Sequence, residues 1–480
     1  MNTEQYDAIV VGSGAGGSAA AFRLVCAGKR VLLVEKGGPL PRDGSTLDLD
    51  RVLHQGAFKS REPWADGRGR RIVPEEYFNL GGKTKWYGAA LLRFAEHEFR
   101  AEPGYQCPAW PLAYSDLAPY YDEVEQLLDV RVFDCEPELK AIVRRFTANG
   151  SPWHELPLPM GLAANIVHHP EEAAHFDGFA SVKQLKADAE ISLLGRARQN
   201  PNLILITGQA VTRLLPAEQD PLRIGGIVTA DGRRFQASAV LLGAGALHSP
   251  RLLQRYLAEQ CLAATLPVAA QVGRNLKLHL LTALIAVSFT RKHDLLRKTT
   301  ALLCDELPHS SVQPLGFDGE MIANLIPRIA PRWVARQVGA RAYGFFLQTE
   351  DGSHPDNRVH EAAPGNGTLP RMDYDAHRLR PALREHRALV RAMHLRLLAA
   401  GFVSFSQRIG IEGTAHACGT MAAGTGPENS VVNRDGSVHG LSGLYVVDGS
   451  VLTRSSRVNP SLTIYAWGLR VADRLLEKHP

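Results

Sequence analysis

The sequence has few cysteines, and none of them stands at a spacing typical of a metal centre. Its 480 residues include 6 cysteines, and no two of them form a C-x-x-C pair. Iron–sulfur clusters, structural zinc sites and disulfide frameworks depend on such closely spaced cysteines. We therefore expect none of these features from the scattered set Cys26, Cys107, Cys135, Cys261, Cys304 and Cys418.

Long apolar runs are missing as well. No stretch approaches the roughly 20 apolar residues that a helix needs to cross a bilayer. The first seven residues, M-N-T-E-Q-Y-D, lead directly into a strand-like pattern and leave no room for a signal peptide. We expect a cytoplasmic protein without a transmembrane segment.

Neither sign of charge dominates the chain. Lys and Arg number 54 against 49 Asp and Glu, which gives a net charge of +5. The small excess is spread along the chain, so we expect no nucleic-acid partner. With 45% hydrophobic residues, a chain of this length can bury a sizeable core in two domains or one composite domain.

A group of polar side chains in the poorly patterned segment 130–180 could suggest a metal site. Its spacing matches no standard metal-binding motif. We therefore predict a solvent-exposed polar segment and no metal at His168, His169, Glu171, Glu172 and His175.

The N-terminal part carries a dinucleotide-binding fingerprint in its full context. An apolar strand at 6–11 runs into G-S-G-A-G-G at 12–17, a helix follows, and a second strand at 30–34 ends at Glu35. The glycines allow a pyrophosphate to approach the helix N-terminus, and Glu35 can accept a hydrogen bond from a ribose hydroxyl. The fingerprint alone does not distinguish FAD from NAD.

Later segments of the chain also have the pattern of a cofactor-binding domain. A glycine-rich loop at 79–90 could form a second backbone turn around a cofactor. Apolar strands are predicted at 203–207, 210–214 and 238–243, and the last one ends in a small-residue turn before a helix at 251–258. This order predicts a discontinuous cofactor domain.

The C-terminal block, residues 413–475, has the pattern of an acid/base site. His416 lies in a turn-rich segment, and a strand at 444–447 ends at Asp448. Asn459 then precedes Pro460, which suits the first position of a helix running to about residue 475. A histidine and an asparagine on two facing turns above a helix N-terminus can move a proton.

The predicted fold class is α/β, with a discontinuous Rossmann-like FAD-binding domain and an α+β substrate domain. Segments 280–289 and 343–349 resemble strands of an antiparallel sheet in the second domain. We assign residues 1–100, 186–279 and 410–480 to the FAD-binding domain. Residues 101–185 and 280–409 are assigned to the substrate-binding or cap domain.

Read together, the two ends of the chain resemble the glucose-methanol-choline (GMC) family of FAD-dependent oxidoreductases. The resemblance is carried by D-A-I-V-V-G-S-G-A-G-G with Glu35, by N-L-G-G-K-T-K-W-Y-G-A-A-L, by G-A-G-A-L-H-S-P-R-L-L, by V-G-R-N-L and by the C-terminal block. These stretches spread over nearly the full length, while 130–180 and 280–340 carry no recognisable signature. The resemblance implies an extended FAD and an antiparallel sheet that covers its isoalloxazine.

The resemblance also implies roles for individual residues. His416 matches the family's base for the substrate hydroxyl, Asn459 matches the second member of the His/Asn pair, and hydride passes to flavin N5. Asp448 matches an acid near the FAD phosphates, and Val211 falls where a strand backbone meets the adenine. The full cofactor-binding set that we predict is Gly12, Gly14, Ala15, Gly17, Glu35, Lys36, Gly81, Gly82, Thr84, Tyr87, Gly88, Val211, Gly245, Asp448, Gly449, Asn459, Pro460 and Ser461.

The chain departs from the pattern of some family members at two places. Some members attach FAD covalently through a histidine after the paired glycines, where this chain has Trp86, so we expect non-covalent FAD. Some members carry cysteine clusters where this chain has D-G-F-A at 177–180.

The loop at 79–90 resembles the bacterial branch that acts on sugars, glycosides and aminoglycoside-like pseudosugars. We therefore predict oxidation of a hydroxyl of a small sugar-like substrate to the carbonyl, by a dehydrogenase or an oxidase. A non-sugar aliphatic or aromatic alcohol is the alternative substrate class. A pyridine-nucleotide dehydrogenase and a non-catalytic FAD-binding protein are alternatives of other classes, and the electron acceptor is left open.

Overall fold

The computed structural model describes residues 5–148, 150–326, 330–362 and 368–478. In chain order its strands are β1 (Gln5–Val11), β2 (Val31–Val34), β3 (Trp64–Asp66), β4 (Arg71–Ile72), β5 (Arg131–Val132), β6 (Trp153–Pro157), β7 (Pro159–Met160), β8 (Leu203–Ile206), β9 (Val211–Ala217), β10 (Asp220–Thr229), β11 (Arg234–Leu242), β12 (Leu280–Val287), β13 (Thr300–Cys304), β14 (Ser310–Pro314), β15 (Ala342–Thr349), β16 (Arg358–His360), β17 (Arg371–Asp373), β18 (Val403–Arg408) and β19 (Leu444–Val446). Its α-helices are α1 (Ala15–Cys26), α2 (Tyr114–Leu127), α3 (Pro137–Phe146), α4 (Pro170–Ala173), α5 (Gly195–Ala197), α6 (Ser249–Glu259), α7 (Gly319–Leu325), α8 (Arg332–Gly339), α9 (Arg380–Ala399) and α10 (Ser461–Lys478).

The largest sheet contains the strand that leads into the glycine fingerprint. Its order is β8-β2-β1-β11-β10-β9, with β19 paired to β11. Strands β8, β2, β1, β11 and β19 run parallel, so the turns that follow them meet at one edge of the sheet. The predicted discontinuous Rossmann-like domain is confirmed, because strands from the beginning, middle and end of the chain share this sheet.

Helices α1 and α10 pack against each other through glycine. A Cβ on Gly16 would lie 1.6 Å from the carbonyl oxygen of Val447, and one on Gly468 would lie 2.5 Å from the carbonyl oxygen of Gly16. Backbone therefore contacts backbone at this crossing, with no room for a side chain. The contact holds the N-terminal fingerprint against the C-terminal block.

The second large sheet is antiparallel, as the sequence predicts. Its order is β18-β12-β15-β14-β13-β6, and Leu280 of β12 pairs with Thr349 of β15. The segment 130–180, which has no clear sequence pattern, contributes β6 and α3 to this part of the molecule. Side chains from α3, the sheet and α9 form a common core.

The predicted domain boundaries remain a prediction. Strands β3 and β4, from the first FAD-binding segment, belong to the four-stranded sheet β16-β17-β3-β4, whose other strands lie in the assigned cap segment. Helix α2, also assigned to the cap, contacts α10 through a 2.7 Å hydrogen bond between Tyr121 Oη and Thr463 Oγ1.

The segment around α4 is less exposed than predicted: Glu172 is buried, and His169 and His175 are half-buried. Oε1 of Glu172 accepts hydrogen bonds from the backbone N–H groups of Val182, at 3.0 Å, and Lys183, at 2.6 Å. The expectation of exposure is therefore wrong for Glu172, which anchors the following loop. Within the described ranges no group of three or more His, Cys, Asp or Glu side chains could hold a metal ion.

All six cysteines are free thiols. Among the helices of the described ranges, none combines the length and the apolar character needed to traverse a bilayer.

His386 of α9 links the antiparallel sheet to the helix that covers it. Its Nε2 lies 2.8 Å from Thr282 Oγ1 of β12, and its Nδ1 lies 2.9 Å from Thr349 Oγ1 of β15. Burial, with a smaller contribution from the charge of Arg408, lowers the pKa of His386 to about 3.

We expect His386 to make the fold acid-sensitive. The unfolded chain takes up a proton on this side chain near about pH 6.5, whereas the folded chain does not until far lower pH. The free energy of unfolding should therefore decrease between about pH 6 and pH 4, by at most about 1.4 kcal/mol per pH unit from this residue. Urea unfolding at several pH values should give a shallower slope for His386→Gln than for wild type, whereas the exposed control His97→Gln should keep the wild-type slope. Equal slopes for both variants would refute the assignment.

Candidate active site

One cavity of about 850 Å³ is lined by both the fingerprint and the C-terminal block. Its volume falls in the range of about 300–1,000 Å³ that small-molecule sites occupy. Most of the predicted site residues line it: Gly12, Gly14, Ala15, Glu35, Lys36, Gly82, Thr84, Tyr87, Gly88, Val211, Gly245, His416, Asp448, Gly449, Asn459, Pro460 and Ser461.

The two remaining predicted residues, Gly17 and Gly81, are not part of the lining. A Cβ on Gly17 would lie 2.0 Å from the carbonyl oxygen of Gly12, so this glycine allows the fingerprint turn to close. The backbone N–H of Gly81 donates to Ser13 Oγ at 3.0 Å. Both glycines therefore shape the turns that line the cavity.

Glu35 holds the fingerprint turn from the end of β2. Its Oε2 accepts from the N–H and the Oγ–H of Ser13, at 2.9 and 2.6 Å, and its Oε1 accepts from the N–H of Gly37 at 2.9 Å. A carboxylate oxygen can accept two hydrogen bonds, so Oε1 can accept one more. The carboxylate is therefore compatible with the predicted ribose contact and also organises the turn.

Asp448 connects the turn after β19 with the turn after β11. Its Oδ2 accepts from the N–H of Gly245 at 2.8 Å and from Ser249 Oγ at 2.5 Å, while its Oδ1 accepts from the N–H of Ser450 at 2.9 Å. Burial raises the pKa of this carboxyl, and the hydrogen bonds oppose that effect. The buried side chain thus determines the position of two cavity-lining turns.

His416 and Asn459 are brought together, as predicted. His416 Nε2 lies 3.4 Å from Asn459 Nδ2. Gln313 Nε2 donates to Asn459 Oδ1 at 2.5 Å, so the asparagine directs its N–H₂ group toward the histidine. His416 Nε2 is therefore a hydrogen-bond acceptor that faces the asparagine.

Burial lowers the pKa of His416 well below its usual value, and electrostatic interactions with His279, Lys298 and Lys83 lower it further. The imidazole is therefore neutral at physiological pH. A neutral imidazole in a cavity can accept a proton from a bound hydroxyl group.

The turn that carries His416 is anchored two residues earlier. Thr414 Oγ1 donates to the carbonyl oxygen of Glu75 and contacts Glu76 Oε1, both at 2.8 Å. Lys83 Nζ donates to the carbonyl oxygen of Thr414 at 2.7 Å. These contacts tie the histidine to the segment that follows β4.

The wall next to this pair contains residues that sequence reasoning missed. Strands β12, β14 and β15 contribute Leu281, Gln313, Phe346 and Gln348 to the cavity lining. Lys298 and Asp177 also line it and form an ion pair of 2.7 Å. No local pattern marks these side chains, because they come from separate strands and loops.

The chain was compared with known proteins. A family model described as "FAD dependent oxidoreductase" matches residues 7–283, and one described as "GMC oxidoreductase" matches residues 359–468. Paromamine 6'-oxidase of Streptomyces fradiae is 28% identical, over 99% of this chain and 92% of the relative. The 6'''-hydroxyparomomycin C oxidase of Streptomyces lividus is also 28% identical, with the same coverage. The 2-methyl-1,2-propanediol dehydrogenase of Mycolicibacterium austroafricanum is 24% identical, over 98% of this chain and 95% of the relative.

Solved structures show the same fold. Pyridoxine 4-oxidase from Mesorbium loti aligns with a TM-score of 0.72 and 18% identity, over 99% of this chain and 100% of the other. A formate oxidase of Aspergillus oryzae aligns with a TM-score of 0.73 and 14% identity, over 99% of both chains.

The chain belongs to the FAD dependent oxidoreductases, because that model matches more than half of it, and within them it is a GMC oxidoreductase. It is an FAD-dependent enzyme that oxidises alcohols. The pyridine-nucleotide dehydrogenase and the non-catalytic FAD-binding protein are thereby set aside.

The cavity fits FAD. A Cβ built on Gly14 or on Gly245 would meet no protein atom within 4 Å, so both positions leave open space beside the fingerprint turn. His248 accepts from Arg251 Nη1 at its Nδ1, at 3.3 Å. Its buried Nε2 then carries a proton, has no hydrogen-bond partner among the described residues, and is therefore available to a bound group.

We expect Glu35→Gln to weaken FAD binding. A glutamine side chain has one oxygen and one N–H₂ group, so it would place a donor against the N–H of either Ser13 or Gly37 and distort the turn. Losing a charged hydrogen bond costs about 1.5–3 kcal/mol, which corresponds to roughly a tenfold to hundredfold higher Kd for FAD. Titration of the apoprotein with FAD measures this change. Glu96→Gln, at an exposed glutamate outside the cavity lining, should leave the Kd nearly unchanged, and an unchanged Kd for Glu35→Gln would contradict the assignment.

Proposed function

We propose that the protein oxidises a hydroxyl group of a small sugar-like substrate to the carbonyl, with His416 as the base, Asn459 as its partner and FAD held without a covalent bond. The observation that carries this proposal is the buried His416, whose Nε2 lies 3.4 Å from Asn459 Nδ2 in the cavity and whose pKa is held well below its usual value by burial.

His416 and Asn459 together remove the proton of the substrate hydroxyl. The substrate hydroxyl donates to His416 Nε2, and the N–H₂ group of Asn459 donates to the same hydroxyl oxygen without competing for its proton. When bound, FAD supplies the acceptor for the hydride that leaves the carbon atom. Because Gln313 holds Asn459 Oδ1, the amide keeps its donors directed at the reacting oxygen.

The composition of the cavity wall supports a polyhydroxylated substrate. Gln313, Gln348, Asp177 and Lys298 provide both donors and acceptors for hydroxyl or amino groups. Leu281 and Phe346 provide apolar surface for the C–H faces of a sugar ring. Two relatives named for paromamine and hydroxyparomomycin oxidation point to the same substrate class.

The substrate class can be tested by anaerobic bleaching of the flavin absorbance near about 450 nm across a panel of sugars, glycosides, aminoglycosides and simple alcohols. We expect a sugar-like compound to reduce the flavin fastest. If only simple aliphatic or aromatic alcohols bleach it, the sugar-like assignment is wrong and the non-sugar alternative holds.

The role of His416 is tested with the best reductant from that panel. His416→Gln should lower the limiting rate of flavin reduction by about 10²- to 10⁴-fold, because it removes the base. His97→Gln, an exposed histidine, should reduce at the wild-type rate. A wild-type rate in His416→Gln, with full FAD content, would eliminate His416 as the base.

The proposal of non-covalent FAD rests on Trp86. Its indole Nε1 donates to Asn79 Oδ1 at 2.9 Å, and its ring stacks on Tyr77 with centroids 4.8 Å apart. The side chain is thus engaged in packing and has no nucleophile for a flavin bond. Acid precipitation of the holoenzyme should release all flavin into the supernatant, and yellow colour in the washed pellet would disprove the proposal.

A further inference from the structure

His279 contacts Nδ1 of His416, the ring nitrogen that does not face Asn459. It immediately precedes β12 and is 5% exposed. Its Nδ1 lies 3.0 Å from His416 Nδ1, and its Nε2 lies 2.7 Å from the carbonyl oxygen of Ser456. The two rings meet nearly at a right angle, with an interplanar angle of 79°.

The positions of the protons in this chain of contacts follow from chemistry. A carbonyl oxygen accepts only, so His279 Nε2 carries the proton that bonds Ser456. In a neutral imidazole the other nitrogen is then an acceptor, so His279 Nδ1 must receive a hydrogen bond from His416 Nδ1. His416 therefore carries its proton on Nδ1, and its Nε2 presents a lone pair.

The backbone is constrained at His279 and at its partner Ser456. His279 has a φ of +64° and Ser456 a φ of +69°, in the left-handed region that residues with a side chain rarely adopt. Asp351 accepts from the N–H of Leu278 at 2.7 Å and from Ser455 Oγ at 2.8 Å. The buried carboxylate of Asp351 thus binds the residue before His279 and the residue before Ser456. It thereby supports the hydrogen bond between His279 and Ser456.

We propose that His279 is a positioning residue that fixes the tautomer and orientation of His416, so that Nε2 is free to take the proton of the substrate hydroxyl. The proposal rests on the proposed function of His416. His279 touches neither the substrate nor the reacting atoms in this scheme. Through its ring nitrogen it also orients the base without the negative charge that a carboxylate would place there.

A matched pair of variants tests this role in the holoenzyme. Both His279→Leu and His279→Asn lose the hydrogen bond to Ser456, but the Asn side-chain oxygen can still accept from His416 Nδ1. We expect His279→Leu to keep its FAD and its substrate Kd, and to lose on the order of 10- to 100-fold in the limiting rate of flavin reduction. His279→Asn should recover most of that loss. A wild-type rate in the Leu variant, or an equal loss in both variants, would overturn the proposal.

A second measurement does not depend on turnover. Nitrogen-15 spectra of the wild-type holoenzyme labelled at histidine, with His416 assigned by comparison with His416→Gln, should show the His416 proton on Nδ1. A proton on Nε2 would overturn the proposal even if His279→Leu failed to fold. If His416→Gln kept the wild-type rate, the proposed function would fail, while the spectra would still decide whether His279 fixes the tautomer.

Discussion

The close packing of helices α1 and α10 joins the two ends of the chain, on which the arrangement of the site depends. Gly16 and Gly468 bring the two helix backbones together where no Cβ fits. Gly16 and Gly468 are separated by most of the chain. Both helices nevertheless begin beside the cavity: α1 next to the fingerprint turn and α10 next to Asn459. Because the contact involves backbone atoms of both helices, it holds the fingerprint turn and Asn459 in a fixed relation to each other.

Burial gives this site its chemical properties. Desolvation of His416 and the positive side chains of Lys298 and Lys83 lower the pKa of its imidazole, and both of its ring nitrogens contact a neighbouring side chain. In the proposed mechanism, His279 orients this ring without the negative charge that a carboxylate would bring. The donors and acceptors of Lys298 and Asp177 complete a wall that can bind a molecule with several polar groups.

Much of the fold could be predicted from the sequence because its signals are local. The strand, glycine turn and helix around Gly14 follow one another without interruption, and the strands β12 and β15 show clear apolar patterns. The segment 130–180 was harder, since short strands and helices there depend on partners far away in the chain. Glu172 shows the same limit: its glutamate identity suggests exposure, but a backbone loop uses it as a buried acceptor.

Short, recognisable patterns carry the dinucleotide fingerprint, the resemblance to a flavin oxidoreductase family and the pair His416 and Asn459, so all three can be predicted from the amino-acid order. The side chains that surround this pair become apparent only in the folded chain. Gln313 comes from β14, and His279 precedes β12, and neither carries a local signature of its role. Their functions arise from hydrogen bonds across 137 and 146 positions of the chain, which exist only once the two sheets have packed together.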